Sequence, residues 1–439
     1  MHKKLALLRP KWPVLAGIAT VVIVLSIGTH IRGSLSASWL TFIDYPTNPL
    51  FTDTRTVTNS IDCVLGGKDP YFVRAFDPWG RVYNYPPIWL ELRHLGITSR
   101  SSNLLGTMMA IATAATLLFL FNARTRISAA LVFFAVLSPA VLFAIERGNI
   151  DQIMLFLLVF GLVLIDRQPE RFRLLLKALL LIGLTVLKIY PVAAAAIFVR
   201  NRKGILAAIL IAALSLTALV LTAGHRLANV FENTPRDSLM TFGTIPFFLS
   251  INSPTFHQVL PIIQHHYNGP LFGALFAGVL FILIGAACGS RLDRFLPPID
   301  RESTRGNIAI AGLAIFCFTF MLGANYDYRL IFLLPGLACL IEDINQNMPQ
   351  RSLPPILIIL LLLWKPTNLS SVGEVADGLV FLLTSMWLGN SLLSLERSQS
   401  TTFLRSGAFK NEVWVLANLD IHTKHEPHTH LNKKFPSQN

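Results

Sequence analysis

The sequence predicts an all-α polytopic membrane protein. Of its 439 residues, 53% are apolar and 14% charged, against about 25% charged in an ordinary soluble domain. Mean hydropathy is +0.56. Apolar runs long enough to cross a bilayer recur along the chain, divided by short polar turns.

The first apolar run, 14–31, follows the basic stretch MHKKLALLRPK. Its length, and the lack of a small-x-small cleavage site after it, predict a retained first helix rather than a signal peptide. Further runs predict helices near 103–121, 128–145, 150–165, 204–223, 270–288, 307–323, 329–342, 353–364 and 374–394. The stretch 174–199 is interrupted at LKIYP by Lys188 and Pro191. If it is a hairpin turning there, most loop Lys and Arg fall on one side: the amino-terminal segment, 122–127, 166–177, 200–203, 289–306 and 343–352. That is the positive-inside bias, so these loops are expected in the cytoplasm. The net charge of +13 is accounted for in the same way, and no nucleic-acid partner is expected. The four cysteines, 63, 288, 317 and 339, show no metal spacing and no disulfide framework. Residues 1–394 are expected to form the membrane domain. The tail 395–439, with His422, His425, His428 and His430, is polar and Pro-containing and reads as a disordered cytoplasmic segment.

The hairpin threading places the long first loop 32–102, ERGNID (146–151), LKIYP (187–191), the loop 224–269 and GANYDYR (323–329) on the outer side. A plain turn between helices does not need the Glu146, Arg147, Asn149 and Asp151 of ERGNID. In the first loop, Val57, Ile61, Val64 and Leu65 repeat at helical spacing in TDTRTVTNSIDCVLGGKDPY, and Gly66-Gly67 ends the repeat. Asp53 stands at the start, as an N-cap, as a carboxylate held at the membrane surface, or as both. Pro87 then opens a second short helix in YNYPPIWLELRHL, with an apolar face suited to the interfacial plane. Tyr85 belongs there to an aromatic belt or to a ligand site.

The ordered set of an Asp-led helix, GGKDPY, YPP, ERGNID, LKIYP and NYDYR resembles glycosyltransferase family 87, over about residues 40 to 335. The chain departs from the family pattern in DTRTV, where an aromatic commonly follows the Asp, and in the Ile of LKIYP, where Pro is frequent. The resemblance implies a GT-C-type helix bundle with short interfacial helices in its long first outer loop. It implies transfer of a sugar, a hexose such as mannose or a pentose, from a polyprenyl-phosphate carrier on the outer face of the plasma membrane. The acceptor would be a glycan, a glycolipid or a protein. Asp53 takes the place of the catalytic carboxylate, with Asp44 in FIDYP as runner-up.

Such chemistry needs a base for the acceptor hydroxyl and cations for the leaving phosphate. Arg147, Lys188 and Arg329 are the phosphate candidates, with Arg147 oriented by Glu146 and Asp151, and Arg329 open to pairing with Asp327. Lys188 has the alternative of snorkelling to the interface. Tyr85, Tyr190, Tyr326 and Tyr328 are candidates for sugar or phosphate contacts, and Asn149 and Asn325 for sugar hydroxyls. Asp44, Asp53 and Asp69 have no metal spacing, and neither metal nor cofactor is expected. The competing readings are a transporter or flippase of lipid-linked sugars, and an outer-face polysaccharide polymerase or ligase.

Overall fold

A computed structural model of the protein describes residues 9–77, 79–234, 241–251, 268–293, 295–346, 349–365, 373 and 375–392. The chain divides into Met1–Leu392 and Leu393–Asn439; the second unit, with its histidines, lies outside the described residues.

The chain is a polytopic helical membrane protein: among the described residues six helical stretches, one of them broken at Pro139, are long and apolar enough to cross a membrane. The helices used below are α1 (Trp12–Arg32), α2 (Thr52–Leu65), α3 (Ser102–Leu120), α4 (Arg126–Val136), α5 (Pro139–Arg147), α6 (Asp151–Asp166), α7 (Glu170–Leu187), α8 (Arg202–Ala223), α9 (Asn268–Ala287), α10 (Thr304–Met321), α11 (Leu334–Asn345), α12 (Pro349–Leu363) and α13 (Val375–Leu392). Helix α10 is apolar all round and buried along nearly its whole length, as a central helix must be. By contrast α1 and α8 turn Val22, Ile23, Ile27, Leu206, Ile209 and Leu210 outward. Exposed apolar surface of that extent on spanning-length helices is the face that meets lipid.

Several elements depart from the expected pattern. The run 128–145 is not one helix but α4 and α5, because Pro139 lacks an N–H and holds Ser138 extended. The stretch 174–199 does turn at LKIYP, but unequally: α7 is α-helical, Lys188 is extended, and Tyr190–Phe198 is a 3₁₀ segment of 9 residues packed against α10. The expected helix after Pro87 is likewise 3₁₀, Pro87–Leu95, ended by Gly96. Among the described residues one short antiparallel pair joins the helices: β1 (Thr241–Phe242) faces β2 (Asn325–Tyr326) in the register Thr241 to Tyr326.

Side-chain contacts sort the loops into two ends. At one, Lys11 donates to the Phe121 carbonyl at 3.0 Å, Asn345 to the Asn122 carbonyl at 2.8 Å, and Arg124 and Arg305 flank Glu342 at 3.5 and 3.6 Å. Arg200 reaches Glu302 there at 3.4 Å. At the other end, the Trp89 indole donates to the Leu187 carbonyl at 2.9 Å, and Arg226 grips Asp69 at 2.7 Å. These contacts bring together the amino-terminal segment, 122–127, 200–203, 289–306 and 343–352, five of the six loops that the charge bias groups.

Candidate functional site

The site grows from a splice between α2 and ERGNID. Phe51, before α2, has a left-handed backbone (φ 62°), and its N–H donates to the Glu146 carbonyl at 2.9 Å. Its ring lies on Gly106, where a Cβ would sit 2.3 Å from a ring carbon. Gly148 is also left-handed (φ +57°), and a Cβ there would lie 2.5 Å from the Thr54 hydroxyl. That hydroxyl donates to the Gly148 carbonyl at 2.6 Å. Only glycine meets both demands at 148 without strain.

The splice buries Asp53, which is 4% exposed. Asp53 is in the first turn of α2, but Phe51 holds the N-cap position, so the side chain is free for contacts outside its own helix. The Asn149 amide donates to its Oδ2 at 2.6 Å, Arg147 Nε lies 3.7 Å from the same oxygen, and Arg81 Nη1 lies 3.4 Å from Oδ1. Burial opposes ionisation, but Arg147 and Arg81 outweigh it, and with Asn149 and Lys188 they hold the carboxyl below its ordinary range. Arg81 and Asp77 do not stand out in the sequence reading. Their signal is the turn D-P-W-G-R, which puts an acid and a base four residues apart: Arg81 Nη2 meets Asp77 at 3.0 Å and donates to the Thr56 hydroxyl at 2.5 Å.

A second carboxylate, Asp151, is fully buried in the first turn of α6. It accepts from the Lys188 ammonium and the Tyr190 hydroxyl, and Arg329 Nε donates to its other oxygen at 3.2 Å. Asn149 bridges the two acids: its Nδ2 donates to Asp53 while its Oδ1 accepts the Asp151 N–H at 2.8 Å. Aromatic rings complete the frame. The Arg147 guanidinium lies over Phe143 and Tyr326 at 5.4 and 5.5 Å. Lys188 lies over Tyr85 and Tyr190 at 5.4 and 5.3 Å, placements that favour a cation.

The structure thus gathers Asp53, Arg147, Asn149, Asp151, Lys188, Arg329, Tyr85, Tyr190 and Tyr326, and it differs from the expected pairings in four respects. Glu146 does not orient Arg147; its Oε1 accepts the Thr47 N–H and hydroxyl at 2.6 and 2.5 Å and fixes the strand of loop before α2. Asp151 holds Lys188 and Arg329 instead of Arg147. Arg329 turns to Asp151 and Asn325 rather than Asp327, which is buried two residues before it. Lys188 is 8% exposed and paired, so it does not snorkel. Asp44 is exposed and outside the cluster. Asp69 also stands apart, bound to Arg226 at 2.7 and 2.8 Å.

Chemically, the cluster is a largely buried set of four cations around two carboxylates. It can hold an anion without a metal and can accept one proton on Asp53. Compared with known proteins, the chain matches no family model, no curated protein and no solved structure.

Proposed function

We propose that the chain is a membrane glycosyltransferase that moves a sugar from a polyprenyl-phosphate carrier to an acceptor hydroxyl. The observation that carries this reading is the Asn149-bridged pair of buried carboxylates, Asp53 and Asp151, set among Arg81, Arg147, Lys188 and Arg329. The site lies at the end of the bundle away from the Lys- and Arg-rich loops, which we assign to the cytoplasm by the positive-inside rule. The reacting end then faces outward, at the depth of lipid headgroups.

In this reading the acceptor oxygen attacks the anomeric carbon as the carbon–oxygen bond to the carrier phosphate breaks. The electron pair leaves with the polyprenyl phosphate, whose growing charge meets Arg147, Lys188 and Arg329. The acceptor proton passes to Asp53. One base and one displacement invert the anomeric centre. Asp53 is a weak base while Arg147 and Arg81 lean on it. An arriving phosphate competes for the same guanidinium groups and so raises its basicity when the donor is present. Asp151, held by three donors, serves as the fixed counter-charge that positions Lys188 and Arg329.

Purified protein, a radiolabelled polyprenyl-phosphate sugar and candidate acceptors test this. Labelled sugar should move to an acceptor, and Asp53→Asn should lower the rate by about 10²- to 10⁴-fold while the carrier still binds. Labelled carrier crossing liposomes with no transfer or hydrolysis would overturn the proposal in favour of a flippase.

A further inference from the structure

Two tyrosines beside the paired acids have buried rings and open hydroxyls. Tyr85 is 7% exposed and Tyr328 4%. Their hydroxyls make no hydrogen bond among the described residues, and neither oxygen is one of the sealed, unpartnered polar atoms, so both reach the opening. Tyr190 differs, because its hydroxyl is taken by Asp151. The Arg147 guanidinium also donates no hydrogen bond among the described residues. Its Nε is sealed, which leaves Nη1 and Nη2 as an open edge.

The three groups are held close together. The Tyr328 ring packs on Phe143 and Tyr326, at centroid distances of 5.6 and 5.5 Å. The same two rings carry the Arg147 guanidinium. Tyr85 is fixed separately: its carbonyl accepts the Tyr71 hydroxyl at 2.8 Å, and its ring lies beneath the Lys188 ammonium. The two phenols interact with each other, and both interact with Asp53 and Asp151. They therefore flank the gap that Asn149 bridges.

The acids on that gap already accept hydrogen bonds, Asp53 from Asn149 and Asp151 from Lys188, Tyr190 and Arg329. What stays open is O–H and N–H. A polar group left unpaired inside a protein forgoes a hydrogen bond, and a charged one forgoes a stronger bond. The complement of two phenols and a guanidinium edge is an anion with several acceptor oxygens, which a phosphate supplies. A sugar hydroxyl is neutral and itself a donor, and it matches a donor-only guanidinium less well.

We propose that Tyr85 and Tyr328 are hydroxyl donors that, with the open edge of Arg147, bind the phosphate of the lipid carrier. This assignment rests on the transferase reading and adds two uncharged donors to the cationic clamp. Because neither hydroxyl supports another part of the protein, removing it should cost affinity and not stability.

The test uses full-length protein in detergent, titrated calorimetrically with a short-chain polyprenyl phosphate that carries no sugar. Tyr85→Phe and Tyr328→Phe should each weaken binding by about ten- to a hundredfold, the worth of a hydrogen bond to a charged group. Both should keep the melting temperature of the wild type. Tyr190→Phe, which strips a donor from buried Asp151, should lower it. The matching polyprenol should bind all forms alike. Unchanged binding of the phosphate in both Phe variants would overturn the assignment, as would an equal loss of polyprenol binding. Inorganic phosphate binding as tightly as the lipid would overturn the lipid-borne source. Sugar transfer, assayed on the same proteins, separates the two readings. Tyrosine-dependent phosphate binding without transfer by the wild type keeps the phosphate site and removes the transferase. Transfer with unchanged binding in both variants does the reverse.

Discussion

At the scale of residues, the decisive contrast is between Asp53 and Asp151. Both are buried carboxylates in the first turn of a helix, where the helix dipole favours negative charge. Asp151 is locked by Lys188, Tyr190 and Arg329. Of the two cations that Asp53 faces, Arg147 is nearly buried but Arg81 is 28% exposed and sits on a loop, so Asp53 is the acid whose surroundings can change when a ligand arrives. Because its carboxyl is held below the ordinary range, its share of stability is present above the unfolded-state pKa. That share is lost only as pH falls through the lower folded value. Activity that needs the carboxylate should follow the same limb. Arg81→Gln removes one of the stabilising charges, so the acid limb of the pH–rate profile should move to higher pH, with Arg81→Lys moving it less. An unchanged limb in Arg81→Gln would mean that Arg81 only braces Asp77. Arg81 was hard to see in the sequence because its partner lies 28 positions away and nothing in its own turn indicates that it folds back on Asp53.

At the scale of elements, the splice between α2 and ERGNID sets the site. Gly148→Ala combines a left-handed backbone with a close contact to Thr54 and should cost about 1–2 kcal/mol, read as a lower melting temperature of the detergent-solubilised protein. Gly106→Leu should do at least as much harm, by expelling the Phe51 ring and letting α2 slide off Gly148. Transfer should then fall together with stability, whereas Asp53→Asn should spare stability more than rate. The existence of α2 was legible from its apolar repeat and glycine stop. Its cap was not, because a left-handed Phe is stabilised by distant contacts to Glu146 and Gly106 rather than by local propensity. The charges of ERGNID were legible as excess. Their partners were not, since a choice such as Asp151 with Lys188 rather than Arg147 depends on how α6 and LKIYP face each other.

At the scale of the whole molecule, the apolar runs and the loop charges were enough to divide the loops into two ends, because burial in lipid constrains every crossing alike. The threading is open to a direct check. Reporter fusions within 122–125 and 199–202 should be active only in the cytoplasm, and one within 66–68 only outside it. Opposite sides for 122–125 and 199–202 would mean that 174–199 crosses once. The 3₁₀ return of that hairpin, Tyr190–Phe198, also bears on how the protein is made. Nine 3₁₀ residues rise only about 18 Å, well short of the roughly 30 Å hydrocarbon core. The return cannot be fixed as a free-standing span when it leaves the ribosome. Its packing surface, α10, is synthesised much later. Lys188 and Tyr190 therefore settle on Asp151 only after the carboxy-terminal half has inserted, and the Asp151 end of the site is completed last.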